Sequence, residues 1–165
     1  MRAAADSSVL IALSTIGQLS LLKNRFGEGV LIPEAVWREV VEAGSGRPGA
    51  EEVRMAEWIQ RGVVGDRDYV RFLCTELDTG EAEAIVLARQ EQADVVLLDE
   101  KEARRAARRL GICVLGTVGL LIWAKRQGLM ASLSAQLRAL EDQGSFRLSQ
   151  KLCLEALRQV GEVDS

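Results

Sequence analysis

Short apolar runs that alternate with helical patterns limit the fold of this chain more than any other feature. Val30 to Ile32, Val95 to Leu98 and Ile112 to Leu115 are unbroken apolar runs, and Arg2 to Ala5 is a fourth short strand candidate ending at Asp6. Strands that are apolar throughout, rather than on alternate residues, belong to parallel sheets covered on both faces. The chain of 165 residues has room for one core and no linker long enough to divide it, so a single domain over 1–165 is expected.

The intervening segments carry helix signals. Ser7 or Ser8 caps a helix through Val9, Leu10, Ala12 and Leu13, and Pro33 opens another through Val36, Trp37, Val40 and Val41 to Gly44. After the loop Gly44 to Gly49 come a helix from Ala50 to Gln60 and a weak strand at Val63–Val64. Helices are expected over Asp78 to Gln92, Glu100 to Leu110 and Thr117 to Gly128. Two more, over Ser132–Glu141 and Ser149–Val160, complete the chain. Their leucines (Leu133, Leu137, Leu140; Leu152, Leu154, Leu157) either cover the sheet or form a dimer interface.

Composition removes several chemistries. Histidine is absent, which rules out histidine-based nucleophilic catalysis and histidine-ligated zinc. Cys74, Cys113 and Cys153 form no CxxC pair and are expected to be buried apolar residues of a reduced cytosol. The first apolar run, Val9 to Leu13, lacks the charged start of a secretion signal, and no stretch approaches a membrane span. A cytoplasmic protein without membrane contact is expected.

Carboxylates remain. Ligands gather at the carboxyl ends of parallel strands, where Asp6 and Asp99 stand. Each can equally be the N-cap of the following helix. Glu39 borders the apolar arc of its helix, Glu42 lies farther away, and Asp94 falls at the opposite sheet edge. Glu81 shares a face with Ala84, Ile85 and Ala88, while Glu83 points outward on the same spacing. Asp78-Thr79-Gly80-Glu81 also has capping-box spacing. Asp6, Glu39, Glu81 and Asp99 are thus candidates for one acidic pocket. Four crowded carboxylates need cations or protons between them, and oxygen ligands without His or Cys select Mg²⁺ or Mn²⁺.

The helix after Asp99 places Lys101, Arg104, Arg105, Arg108 and Arg109 on one face and Ala103, Ala106, Ala107 and Leu110 on the other. That face is either an ordinary solvated surface or a site for a phosphodiester backbone.

These blocks resemble the PIN-domain nuclease family. Asp6 to Ile11 looks like its opening strand and first acid, and Pro33 to Val40 like its proline-led helix with the second. Leu77 to Ile85 resembles a Leu-Asp-x-Gly-Glu-Ala-Glu-Ala-Ile block of one PIN-like branch. Leu97 to Arg104, Gly116 to Leu121 and the C-terminal helices continue the likeness over nearly the whole chain. The resemblance implies a Rossmann-like, three-layer α/β/α domain with a central parallel sheet of about four to five strands. It implies an endoribonuclease dependent on Mg²⁺ or Mn²⁺, related to VapC-type toxin ribonucleases that an antitoxin protein silences, and a homodimer. Carried over by position, the acids are Asp6, Glu39, Glu81 and Asp99, with Asp6, Glu81 and Asp99 holding metal and Asp78 or Glu83 as alternatives for the third. Lys101, Arg104, Arg105, Arg108 and Thr117 are the substrate-binding candidates. The competing readings are a non-catalytic PIN-like binding module and an acid-rich phosphatase of another α/β fold. No early Asp-x-Asp pattern supports the phosphatase.

Overall fold

The computed structural model describes residues 1–143 and 146–163. It holds a five-stranded, all-parallel sheet in the order β3-β2-β1-β4-β5, with β1 Ala3–Ala5, β2 Val30–Pro33, β3 Ile59–Gly62, β4 Val95–Leu97 and β5 Val114–Leu115. The expected domain limits of 1–165 include residues 144–145 and 164–165, which lie outside the described residues.

Three alanines suffice for β1 because it is the middle strand and is covered on both faces. Ala3 and Ala5 belong to one apolar cluster and Ala4 to the other, the alternation a strand dictates. On the Ala3/Ala5 face lie α1 (Ser7–Thr15), α2 (Ser20–Arg25) and α8 (Thr117–Arg126), with α9 (Leu133–Gln143) and α10 (Gln150–Gln159) packed behind them. On the Ala4 face lie α5 (Arg67–Leu73), α6 (Thr79–Gln90) and α7 (Lys101–Arg109). The result is the three-layer α/β/α architecture expected of the sequence.

Register carries Ala5 opposite Leu97, and the Asp6 N–H donates to the Leu97 carbonyl at 3.1 Å. The chain builds outward from β1 to β2 and β3, then returns to the other side of β1 for β4 and β5. Its direction therefore reverses between β1 and β4, which is where a doubly wound sheet opens a crevice at its carboxyl edge.

Several sequence expectations are corrected. The weak strand at Val63–Val64 lies earlier, at Ile59–Gly62, and the helix expected to reach Gln60 stops at Met55 (α4, Ala50–Met55). As the edge strand, β3 exposes Gln60 and Arg61 and so carries no apolar run, while Val63 is 84% exposed. Helix α5 has no counterpart in the sequence reading. It starts at Asp66, whose side chain accepts from the Tyr69 N–H at 3.0 Å. The residue before α1 is Asp6, not Ser7 or Ser8, and Gly116 rather than Thr117 precedes α8. Pro33 ends β2, after which α3 (Glu34–Trp37) widens into a π-helical turn over Arg38–Glu42. Cys74 and Cys113 are exposed and Cys153 is half-buried, because they sit at a helix end, before an edge strand and on the outer helix α10.

Glu83 does not point outward. It is buried, accepts from the Ala35 N–H at 2.9 Å and pairs with Arg67 at 2.8 Å, so it ties α6 to the start of α3. Leu133, Leu137 and Leu140 are all buried against α1 and α8. At about 1.5–3 kcal/mol for each buried leucine, α9 is part of this chain's own core rather than a spare interface. Leu152 and Leu154 are exposed. Among the described residues, no helix is long and apolar enough to cross a membrane.

Candidate active site

At the carboxyl edge of the sheet a cavity of 530 Å³ opens over the β1–β4 crevice. Asp6, Glu39, Asp78, Glu81, Asp99 and Glu100 line it, so all four sequence candidates lie on one cavity together with two further acids. Ser7, Ser8 and Thr15 add hydroxyls, Ile11, Ala12, Leu140 and Phe146 add apolar wall, and Arg147 adds a cation.

Each acid is delivered by a different local device. Asp6 occupies the N-cap position of α1 yet caps nothing with its side chain. It is 4% exposed and accepts a long bond of 3.2 Å from the Ser8 hydroxyl, beside the Ser7 N–H. Burial pushes its carboxyl up to about 7, the Ser7 N–H and Ser8 hydroxyl oppose this, and the charges of Asp78 and Glu81 add to it. Asp99 does not cap α7, where Glu100 takes that position. It reaches across to the start of α8 and accepts from the Thr117 N–H at 2.8 Å and the Thr117 hydroxyl at 2.7 Å. Burial raises its pKa and the two Thr117 bonds lower it in part.

Glu39 comes from the π-helical turn and accepts from the Ser7 hydroxyl at 2.6 Å. Glu81 and Asp78 form the capping box that opens α6: the Glu81 N–H donates to Asp78 at 2.8 Å, and the Asp78 N–H to Glu81 at 3.1 Å. Glu81 is nonetheless 6% exposed and turned to the cavity, and burial raises its pKa. Capping and pocket lining, posed by the sequence as alternatives, coexist in one side chain.

Gly80 shows how tightly three of these acids gather. A methyl group built on it would stand 3.2 Å from Asp6 Oδ1, 3.5 Å from Asp78 Oδ1 and 3.6 Å from Glu39 Oε2. Its backbone is helical, so glycine is needed here for space and not for conformation. Among the described residues, no group of three acids stands ready-made to enclose an ion. Glu39, Glu81 and Asp99 instead each accept a close bond from a protein donor. The donor set still fits a hard divalent cation. It is all oxygen, Asp6, Asp78 and Glu39 converge about Gly80, and burial raises the pKa of Asp6, Glu81 and Asp99, a cost that a bound cation would offset.

The basic candidates are placed elsewhere. Lys101, Arg105 and Arg108 are exposed on the outer face of α7 and do not line the cavity. Arg104 is half-buried beside Asp99, close against Gly116. Thr117 has no exposed surface and meets the site only through Asp99. Arg147, Glu100 and the serine hydroxyls escaped the sequence reading. In the sequence Ser7 and Ser8 carry only the signal of helix caps, and Arg147 lies in an irregular segment where no periodicity marks it.

The model of a family described as a PIN domain matches residues 2–162 of the chain, and no curated protein matches it.

Proposed function

This chain belongs to the PIN-domain family, whose chemistry is of nuclease type, and from that premise we propose that it is an endoribonuclease that hydrolyses RNA phosphodiesters with Mg²⁺ or Mn²⁺. The observation that carries the proposal is the gathering of Asp6, Asp78 and Glu39 oxygens about Gly80, on a cavity that Glu81 and Asp99 also line. Asp6, Glu81 and Asp99 are the residues that would hold the cation, with Glu39 completing the shell or orienting the attacking water. Bound there, a divalent ion acidifies water and offsets the charge that develops on the phosphate.

The chain's own residues do the rest. Thr117 holds the Asp99 carboxylate with two bonds, and Ser7 holds that of Glu39, so both acids are oriented before substrate arrives. The exposed Lys101, Arg105 and Arg108 offer a flexible RNA strand a cationic face beyond Asp99. A toxin role, an antitoxin partner and a homodimer belong to the same proposal and rest on the family resemblance.

Incubation with single-stranded and structured RNA in Mn²⁺, in EDTA, and beside an Asp6→Asn variant tests it. Cleavage by the unaltered chain in Mn²⁺ alone is expected. Equal cleavage by the variant shows that Asp6 and its acid pocket are not the cutting site, and no cleavage by either protein on any RNA leaves a non-catalytic binding module.

A further inference from the structure

A cavity with six acidic lining residues repels the polyanion it is meant to cut. Among the described lining residues Arg147 is the one cation. It lies in the irregular segment between α9 and α10, flanked by Phe146 and Leu148, which are half-buried and packed against the core. With both neighbours anchored in the core, Arg147 between them is exposed and stands at the cavity. No carboxylate of the described residues pairs with it, whereas Arg105 and Arg109 on α7 are paired with Glu102 and Glu76.

A guanidinium is a planar fork matched to phosphate oxygens. The same cavity carries an apolar wall of Ile11, Leu140 and Phe146, and its size suits a nucleotide. We propose that Arg147 clamps a substrate phosphate and that the half-buried Phe146, with Ile11, receives an adjoining unpaired base, so that the site takes its nucleic acid as a single strand. This rests on the nuclease reading and adds to it two residues outside the acid cluster. It also gives the C-terminal helices a task, since α9 and α10 hold the clamp in place.

The test separates binding from cleavage. Binding is measured by anisotropy in Ca²⁺ with three labelled probes: a short single-stranded RNA, the same RNA with one abasic nucleotide, and its duplex. Cleavage in Mn²⁺ is read apart. Arg147→Gln is expected to weaken single-strand binding about tenfold and to lower the salt slope by about one, with Arg147→Lys recovering part of the loss. The abasic probe is expected to bind several-fold more weakly than the full strand, and Phe146→Leu to shrink that difference. Arg147→Gln binding within about twofold of the unaltered chain overturns the proposal, as does a duplex bound as tightly as the single strand. The expected binding pattern without cleavage by any protein supports the clamp and defeats the nuclease reading. Normal cleavage with an indifferent Arg147 does the reverse, and no RNA binding by the unaltered chain overturns both.

Discussion

At Gly80 a single hydrogen atom decides whether the acids can meet. Alanine there would strengthen α6 by up to about 1 kcal/mol through helix propensity, yet its methyl would sit 3.2 Å from Asp6 Oδ1. The carboxylate would have to yield by a few tenths of an ångström. Gly80→Ala is therefore expected to keep or raise the melting temperature while cutting RNA cleavage by about tenfold or more. Unchanged cleavage would mean that the oxygens about Gly80 are not the working site. Gly116 is the counterpart beside Asp99, where an added methyl would meet the Arg104 guanidinium at 2.5 Å and Asp99 Oδ1 at 3.0 Å. Asp99 itself is held by Thr117, so Thr117→Val removes one of its two bonds and keeps the other. A loss of roughly 1 kcal/mol in stability is expected, with a larger proportional loss of activity. Equal cleavage by the valine variant would show that the orientation of Asp99 does not matter.

Among the elements, the device that sequence periodicity missed is the link from α6 to α3. Glu83 leaves its helix on the buried side, takes the Ala35 N–H and Arg67, and so fixes the start of the helix whose π-helical turn presents Glu39. Glu83→Ala strands the Ala35 N–H, at an expected cost of about 1–3 kcal/mol in denaturant unfolding, against little change for a substitution at the exposed Glu42. Costs of the same size at both positions would refute the link. Glu83 also explains what was legible. The apolar stripe Ala84–Ile85–Ala88 correctly placed Glu81 at a buried edge. The same spacing sent Glu83 outward, because periodicity records where hydrocarbon belongs and cannot see a charge with a specific partner. Edge strand β3 and helix α5 were missed for a related reason, since both are short, polar and defined by neighbours distant in sequence. Core strands β1, β2 and β4 were legible because strands buried on both faces must be apolar throughout, and the half-buried edge strand β5 was legible because its residues are apolar too.

For the whole molecule, placing Asp6 and Asp99 on adjacent central strands puts opposed demands on folding and on chemistry. The order of apolar runs along the chain leaves the order of strands in the sheet open, so neither the switch in chain direction between β1 and β4 nor the turn of Asp99 toward α8 was legible there: both depend on how strands distant in sequence dock. Collecting acids in this crevice buries charge, and the cost has a pH signature. The folded chain holds the Asp6 proton up to about 7 against an ordinary value of 3.8, so between these values it binds more protons than the unfolded chain. Stability from this group is complete below the lower value and is lost as pH rises through the upper one. Asp99 and Glu81 shift in the same direction. Glu162 shifts the other way, since it accepts from the Leu133 and Ser134 N–H groups and from Lys125, and its contribution fades in acid. In EDTA the chain is thus expected to be more stable in mild acid and to lose up to roughly 3 kcal/mol between pH 5 and 8 on account of Asp6 alone. Asp6→Asn removes that slope, leaving the variant more stable than the parent at pH 8 while inactive. Saturating Mn²⁺ restores the parent at pH 8, because an ion that binds only the folded, ionised site adds its binding free energy to stability. Urea unfolding from pH 5 to 8, with and without Mn²⁺, checks all three. A parent that gains stability with pH in EDTA, or a Mn²⁺ effect equally large in Asp6→Asn, would show that charge burial at Asp6 does not govern this fold.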